Sequence, residues 1–172
     1  MQPSIYGNHN TVQVSMLDYQ SPIGIIEILG TEEAIISILF SDKELPDHAI
    51  TGDTPSVLVD CYHQLDEYFQ GTRMEFTFPI LYEGTDFQKK VWGALTSISY
   101  SKTGSYKEIA ESIGHQKAMR AVGTANGRNK LSIVIPCHRI IGANGTLTGY
   151  AGGLWRKEWL LEHERKHYKV HN

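Results

Sequence analysis

The pattern of the chain changes near residue 80, and that change limits the fold more than any other feature. Before it, apolar residues come in short runs rich in β-branched side chains, Thr11–Leu17, Ile23–Leu29 and Ala34–Phe40, with Ser21-Pro22 and Gly30-Thr31 between them. Runs of this length bounded by turn residues predict a three-stranded antiparallel meander. Beyond residue 80, helix signals dominate. Thr85-Asp86-Phe87-Gln88 and Ser105-Tyr106-Lys107-Glu108 are capping boxes, in which two side chains satisfy backbone N–H groups that a helix start leaves bare. Strands first and helices after predict an α+β chain, with a small antiparallel-sheet domain over 1–80 and a mainly helical domain over 81–172.

The same boundary divides the charge. Residues 1–80 carry two basic side chains, Lys43 and Arg73, against twelve acidic ones, a net of −10; residues 81–172 carry fourteen against seven, a net of +7. A basic half on a chain whose total is only −3 points to a polyanionic partner, although surface charge also drifts by chance. With 41% hydrophobic residues the chain can build a core, which excludes wholesale disorder. No apolar run approaches the roughly 18 residues of a membrane span, and the first residues lack the start of a signal peptide. Two cysteines make no disulfide framework, so a reducing, cytoplasmic setting is expected.

Smaller signals fill in the order of elements. Thr54-Pro55 should cap and open a helix whose stripe of Val57, Leu58, Cys61, Tyr62, Leu65, Tyr68 and Phe69 ends at Gly71. Cys61 on that stripe reads as a core thiol, not as a metal ligand with His63. Met74–Glu83 should be extended. The Ser105 helix should close at Gly114, and a further helix over Gln116–Ala125 would complete a helix-turn-helix. Leu131–Ile135 should be a buried strand or extended segment that stops at Pro136. Gly142–Gly153, with five glycines, should be a loop, and Leu154–Lys166 an amphipathic helix.

The chemistry concentrates in Ile133-Val134-Ile135-Pro136-Cys137-His138-Arg139. An apolar segment delivers a cysteine to a point where proline ends regular pairing, and two potential cations follow at once. A thiol is a useful nucleophile only as thiolate, which neighbouring positive charge or a hydrogen-bonded base favours. On an extended strand adjacent side chains face opposite ways, so a turn or a bridging water would have to join Cys137 to His138. A third group should orient the histidine, and Glu158, Glu162 and Glu164 are all candidates. Taken alone, Cys137 could instead be a structural thiol, in a helix-turn-helix regulator, or the nucleophile of a hydrolase. Arg120, among small residues, would let its helix approach a DNA groove, though most helix arginines are merely solvated. Tyr106 and Tyr150 read more readily as core or rim residues than as ligands.

The run Ile133–Ile140, preceded by Asn129 and followed by Gly149-Tyr150-Ala151-Gly152-Gly153-Leu154 and Lys157-Glu158-Trp159-Leu160, resembles the O6-alkylguanine-DNA alkyltransferases, or methylated-DNA–protein-cysteine methyltransferases. The likeness is close over Thr85–Glu164 and general over the N-terminal strands. It implies a ribonuclease-like first domain and a winged-helix-like DNA-binding second domain. It implies repair of double-stranded DNA carrying O6-alkylguanine by transfer of the alkyl group to Cys137, once per molecule, and leaves O4-alkylthymine open as a second substrate. His138 would be the base through a water, Glu164 its orienter, and Asn129 a brace for the cysteine turn. Tyr106 would abut the flipped nucleotide and protonate the departing guanine. Arg120 would fill the gap left by the base, while Ala118 and Met119 line the minor groove. Tyr150, Ala151 and Gly152 would wall the guanine pocket, Gly152 leaving room in it. The resemblance implies no cofactor and no metal, and a monomer able to cluster on DNA. Two positions depart from the family pattern: Lys130 stands where proline is usual, and Ala151 where serine is frequent.

Overall fold

The computed structural model describes residues 12–172, so Thr11, where the first predicted run begins, lies outside them. Strands β1 (Ser15–Ser21), β2 (Gly24–Gly30) and β3 (Ile35–Phe40) form an antiparallel sheet in that order. The first strand starts later than predicted, and Pro22-Ile23, not Ser21-Pro22, turns the hairpin, with Ser21 opposite Gly24. The Ser21 hydroxyl makes this turn: it donates to the Gly24 carbonyl at 2.7 Å and accepts from the Ile23 amide at 3.1 Å. Gly24 takes φ +115°, a left-handed conformation that side chains resist.

Helix α1 (Ser56–Phe69) lies against the sheet, burying Val57, Leu58, Cys61, Leu65, Tyr68 and Phe69 with Leu17, Tyr19, Ile26, Ile28 and Ile38. Thr54 does not cap it. Pro55 takes the cap position with no side-chain bond, because the Thr54 hydroxyl is engaged by the Thr51 amide at 2.9 Å. The stretch after α1 is extended, as predicted, and touches β3 through Ile35 N to Pro79 O and Leu81 N to Ile35 O.

Both capping boxes form, at the starts of α2 (Asp86–Leu95) and α3 (Tyr106–Ser112). Helix α4 (Met119–Gly127) begins three residues later than predicted. No Ser, Thr, Asp or Asn stands at 115–118 to cap an earlier start, and the chain turns there instead, with Ala118 N bonded to His115 O. Arg120 is therefore the second residue of its helix and not a mid-helix side chain. A two-residue strand, β4 (Gly104–Ser105), pairs in parallel with β5 (Ile140–Ile141).

The segment before Pro136 is not a strand. Only its start pairs with β3, through Ile38 N to Lys130 O and Ser132 N to Ile38 O. Tight turns follow, Val134 N to Ser132 O and Ile135 N to Leu131 O, with Ile133 at φ +72°. The chain then enters a single 3₁₀ turn, Cys137–Arg139. Helix α5 (Leu154–His171) runs past the predicted Lys166, and its buried side chains are mixed: Lys157, Leu160, Leu161, His163 and Glu164. It is less an amphipathic cover than a polar floor beneath the 3₁₀ turn. One core cluster includes side chains from both halves. Among the described residues no helix is long and apolar enough to cross a membrane.

Candidate active site

Cys137 opens the 3₁₀ turn and is 4% exposed. Asn129, just past α4, braces it. Its side-chain oxygen accepts from Leu131 N at 2.9 Å, while its amide donates to Ile135 O at 2.9 Å and to Cys137 Sγ at 3.2 Å. One buried amide thus shapes the loop and holds the sulfur. Burial pushes the Cys137 thiol above its ordinary value; the Asn129 amide, the Lys157 ammonium and the N–H groups of Cys137 and His138 pull the other way. Cys61, fully buried under the sheet, is raised by burial alone.

The 3₁₀ turn settles where His138 points. It is fully buried, with Nε2 2.7 Å from Glu164 Oε1. Of the three candidate carboxylates, Glu164 is the buried one; Glu158 and Glu162 on the same helix are exposed. Burial would raise the Glu164 carboxyl, but His138 and Arg139 hold it well below the usual carboxylate range. An ionised carboxylate only accepts, so His138 Nε2 carries the proton and Nδ1 presents a lone pair. That Nδ1 is buried with no hydrogen-bond partner among the described residues. Burial lowers the His138 pKa in spite of Glu164, which keeps the ring neutral near pH 7.

Arg139 does not face the thiol. Its guanidinium bonds Glu164 through Nε at 3.0 Å and Nη2 at 2.9 Å, and Ile98 O through Nη1 at 2.7 Å. The cation whose charge acts on the sulfur is Lys157, wholly buried, its Nζ donating to Thr148 O at 3.1 Å. Burial lowers its pKa to about 8, against the pull of Cys137.

Around this centre, the Tyr106 hydroxyl pairs with Thr148 Oγ1 at 2.6 Å. The Tyr106 ring packs on Gly123 of α4, where a Cβ would stand 3.6 Å from it. Tyr150 is half-buried, its hydroxyl without a hydrogen-bond partner among the described residues, and Ala151 is exposed. Gly152 leaves no spare room: a Cβ there would meet Phe40 at 2.9 Å and Tyr150 at 3.0 Å. Ala118 is half-buried at the start of α4, with Met119 and Arg120 exposed beyond it. The structure therefore brings Cys137, His138, Glu164 and Asn129 into one buried cluster, links Tyr106 to the loop before Tyr150, and sets Arg120 on the outer face.

Two family models match the chain: the 6-O-methylguanine DNA methyltransferase ribonuclease-like domain over residues 18–82, and the DNA binding domain of the same name over residues 86–166. The methylated-DNA–protein-cysteine methyltransferase of Mycolicibacterium paratuberculosis is 44% identical over 156 residues, covering 88% of this chain and 94% of the relative. That of Methanosarcina acetivorans is 46% identical over 150 residues, covering 85% and 95%. The chain belongs to the methylated-DNA–protein-cysteine methyltransferase family. It is a DNA repair protein that moves a methyl group from methylated DNA onto a protein cysteine. Among solved structures, Mycobacterium tuberculosis OGT in complex with DNA superposes with TM-score 0.78 at 42% identity, over 87% of this chain and 92% of that one.

The methyltransferase keeps its cysteine loop without the usual proline, since the Lys130 carbonyl still bonds Ile38 N at 2.7 Å. Two residues of the site had no signal in its sequence beyond their place in shared motifs. Lys157 reads as one more helix cation until its burial is known. Arg156 bonds Ile23 O at 2.8 Å and Gly152 O at 3.0 Å and stacks over Phe40, fastening the Tyr150–Gly152 loop to the N-terminal sheet.

Proposed function

We propose that Cys137 accepts the alkyl group from O6-alkylguanine in double-stranded DNA, once per molecule, with His138 as its base. One observation carries this most directly. Among the described residues, only Cys137 of the two cysteines has a hydrogen bond to its sulfur, at 3.2 Å from Asn129, and it adjoins a neutral histidine whose Nδ1 has no partner there. Burial keeps the thiol protonated at rest, so the base is needed.

The site cannot meet a base inside the stack, so the alkylated guanine rotates out, which a poorly pairing lesion makes easier. Arg120, exposed at the head of α4, enters the gap, with Ala118 and Met119 against the minor groove. The basic half after residue 80 supplies sequence-independent affinity for phosphates, which makes 81–172 the DNA-binding and transfer unit and 1–80 its support. Tyr150, Ala151 and Gly152 wall the pocket that receives the base. His138 takes the thiol proton through a water, and Glu164 stabilises the imidazolium that forms. The sulfur attacks the alkyl carbon, a C–S bond forms as the C–O6 bond breaks, and Tyr106 gives a proton to the leaving guanine. The thioether product has no ready hydrolytic return, so each molecule reacts once.

Intact-mass measurement after incubation with a duplex containing O6-methylguanine tests the assignment. One added methyl on the Cys137 peptide is expected, with none in Cys137→Ala, which should still bind duplex. A methyl on any other residue would falsify the assignment.

A further inference from the structure

Thr148 lies in the glycine-rich stretch 142–153, where Ala143–Thr146 are exposed. At Thr148 the chain is held. The buried Lys157 ammonium donates to Thr148 O at 3.1 Å, which ties this point of the loop to α5. The side chain then reaches the other half of the site: Thr148 Oγ1 stands 2.6 Å from Tyr106 Oη, both residues half-buried. The Tyr106 ring is set against Gly123 of α4, and its hydroxyl against Thr148.

Each hydroxyl carries one proton, so this bond has two senses. When Tyr106 donates, its proton is spent on the threonine. When Thr148 donates, the Tyr106 proton is left for a third group.

We propose that Thr148 is a positioning residue for protonation of the leaving group: its hydroxyl donates to Tyr106 Oη, so that the Tyr106 proton faces the flipped guanine. The inference rests on Tyr106 being the acid that protonates the departing base. As the sulfur takes the alkyl carbon, the electron pair of the C–O6 bond stays with guanine, and the Tyr106 proton neutralises it. The phenolate oxygen left behind accepts the Thr148 O–H in a charge-assisted bond, stronger than the one made at rest. A bond that strengthens as charge develops lowers the barrier, which a bond of constant strength does not. A proton from solvent then restores the phenol.

Single-turnover transfer from an O6-methylguanine duplex, read by intact mass at Cys137, is compared in the native protein, Thr148→Val, Thr148→Ser, Tyr106→Phe and the double variant Tyr106→Phe/Thr148→Val. Valine keeps the branched shape and removes the hydroxyl; Thr148→Ala takes its place should valine disturb the loop. At saturating duplex the rate should fall about tenfold in Thr148→Val, the scale of a lost hydrogen bond to a group gaining charge, with duplex affinity unchanged and serine restoring the rate. On the Tyr106→Phe background the same substitution should cost nothing further. Iodoacetamide should alkylate Cys137 at the native rate in Thr148→Val, because iodide leaves without a proton. Losses that multiply in the double variant, or equal slowing with iodoacetamide, overturn the proposal, since the threonine would then act on the loop or the sulfur and not through Tyr106. A native rate in Thr148→Val beside a slowed Tyr106→Phe overturns it as well. A native rate in Tyr106→Phe itself overturns the acid role on which the proposal rests, and is a separate result.

Discussion

Tyr68, near the end of α1, donates a 2.8 Å hydrogen bond to Glu164 on α5, 96 residues away. Glu164 is the carboxylate that fixes the His138 tautomer, and it also takes Arg139 and the Ser101 amide. His163, one residue before it, bonds the Tyr68 carbonyl at 2.7 Å. Beside the β3 and Arg156 contacts, the acidic N-terminal part is therefore joined to the candidate site through buried Tyr68.

Tyr68→Phe removes that donor and little else. Stability in urea should fall by about 1–2 kcal/mol, the range for a lost buried hydrogen bond. Transfer should slow several-fold, because His138 loses part of its support. Unchanged transfer in the folded variant would show that Glu164 is held well enough without α1.

The pH response follows from His138. Its folded pKa lies below the unfolded value of about 6.5, so in the window beneath that value the unfolded chain binds a proton that the native state refuses. Stability and transfer rate should hold down to about pH 6.5 and decline as pH falls through the folded value. Glu164, depressed in the fold, adds a second loss below about pH 4.3, its ordinary range. Paired urea melts and single-turnover rates across this range would reveal it; a rate that keeps rising below pH 6 would rule His138 out as base.

Lys157→Met swaps a buried cation for an apolar chain of similar length. Replacing buried charge this way is often neutral or stabilising, so the melting temperature should not fall. Reaction of Cys137 with iodoacetamide at pH 7 should slow several-fold, since the ammonium favours the thiolate. Equal thiol reactivity in the two proteins would remove Lys157 from the account.

Arg120→Ala should slow repair of duplex far more than reaction with free O6-alkylguanine, because its role begins only when a base has left the stack. Equal slowing on both substrates would count against it. Duplex affinity should also fall steeply with salt, as phosphate contacts from the basic half require, and a flat titration would contradict that.

What could be read in the sequence was what neighbours decide. The meander and the two capping boxes are local contests between adjacent residues, and the structure places them within a few residues of the expectation. The late start of α4 is local, since residues 115–118 offer no capping side chain, but the path from Leu131 to Cys137 departs from expectation because longer-range forces shape it. β3 captures Lys130 and Ser132, and Asn129 pins Ile135, so a segment with strand composition turns instead. Glu164 could not be separated from Glu158 and Glu162 by spacing, since only the packing of Tyr68, His138 and Arg139 around it tells them apart. Lys157 was hidden for the same reason, as nothing near it in sequence announces burial.

The 4% exposure of Cys137 has a further consequence. A reagent that can be spent only once must not be spent on the wrong electrophile. Sheathed and protonated, the sulfur offers small alkylators and oxidants in solution a poor target, while a purine delivered on its own sugar–phosphate arm is carried past the sheath. The interior placement that disfavours the thiolate is then also what preserves each copy for the lesion it is kept for.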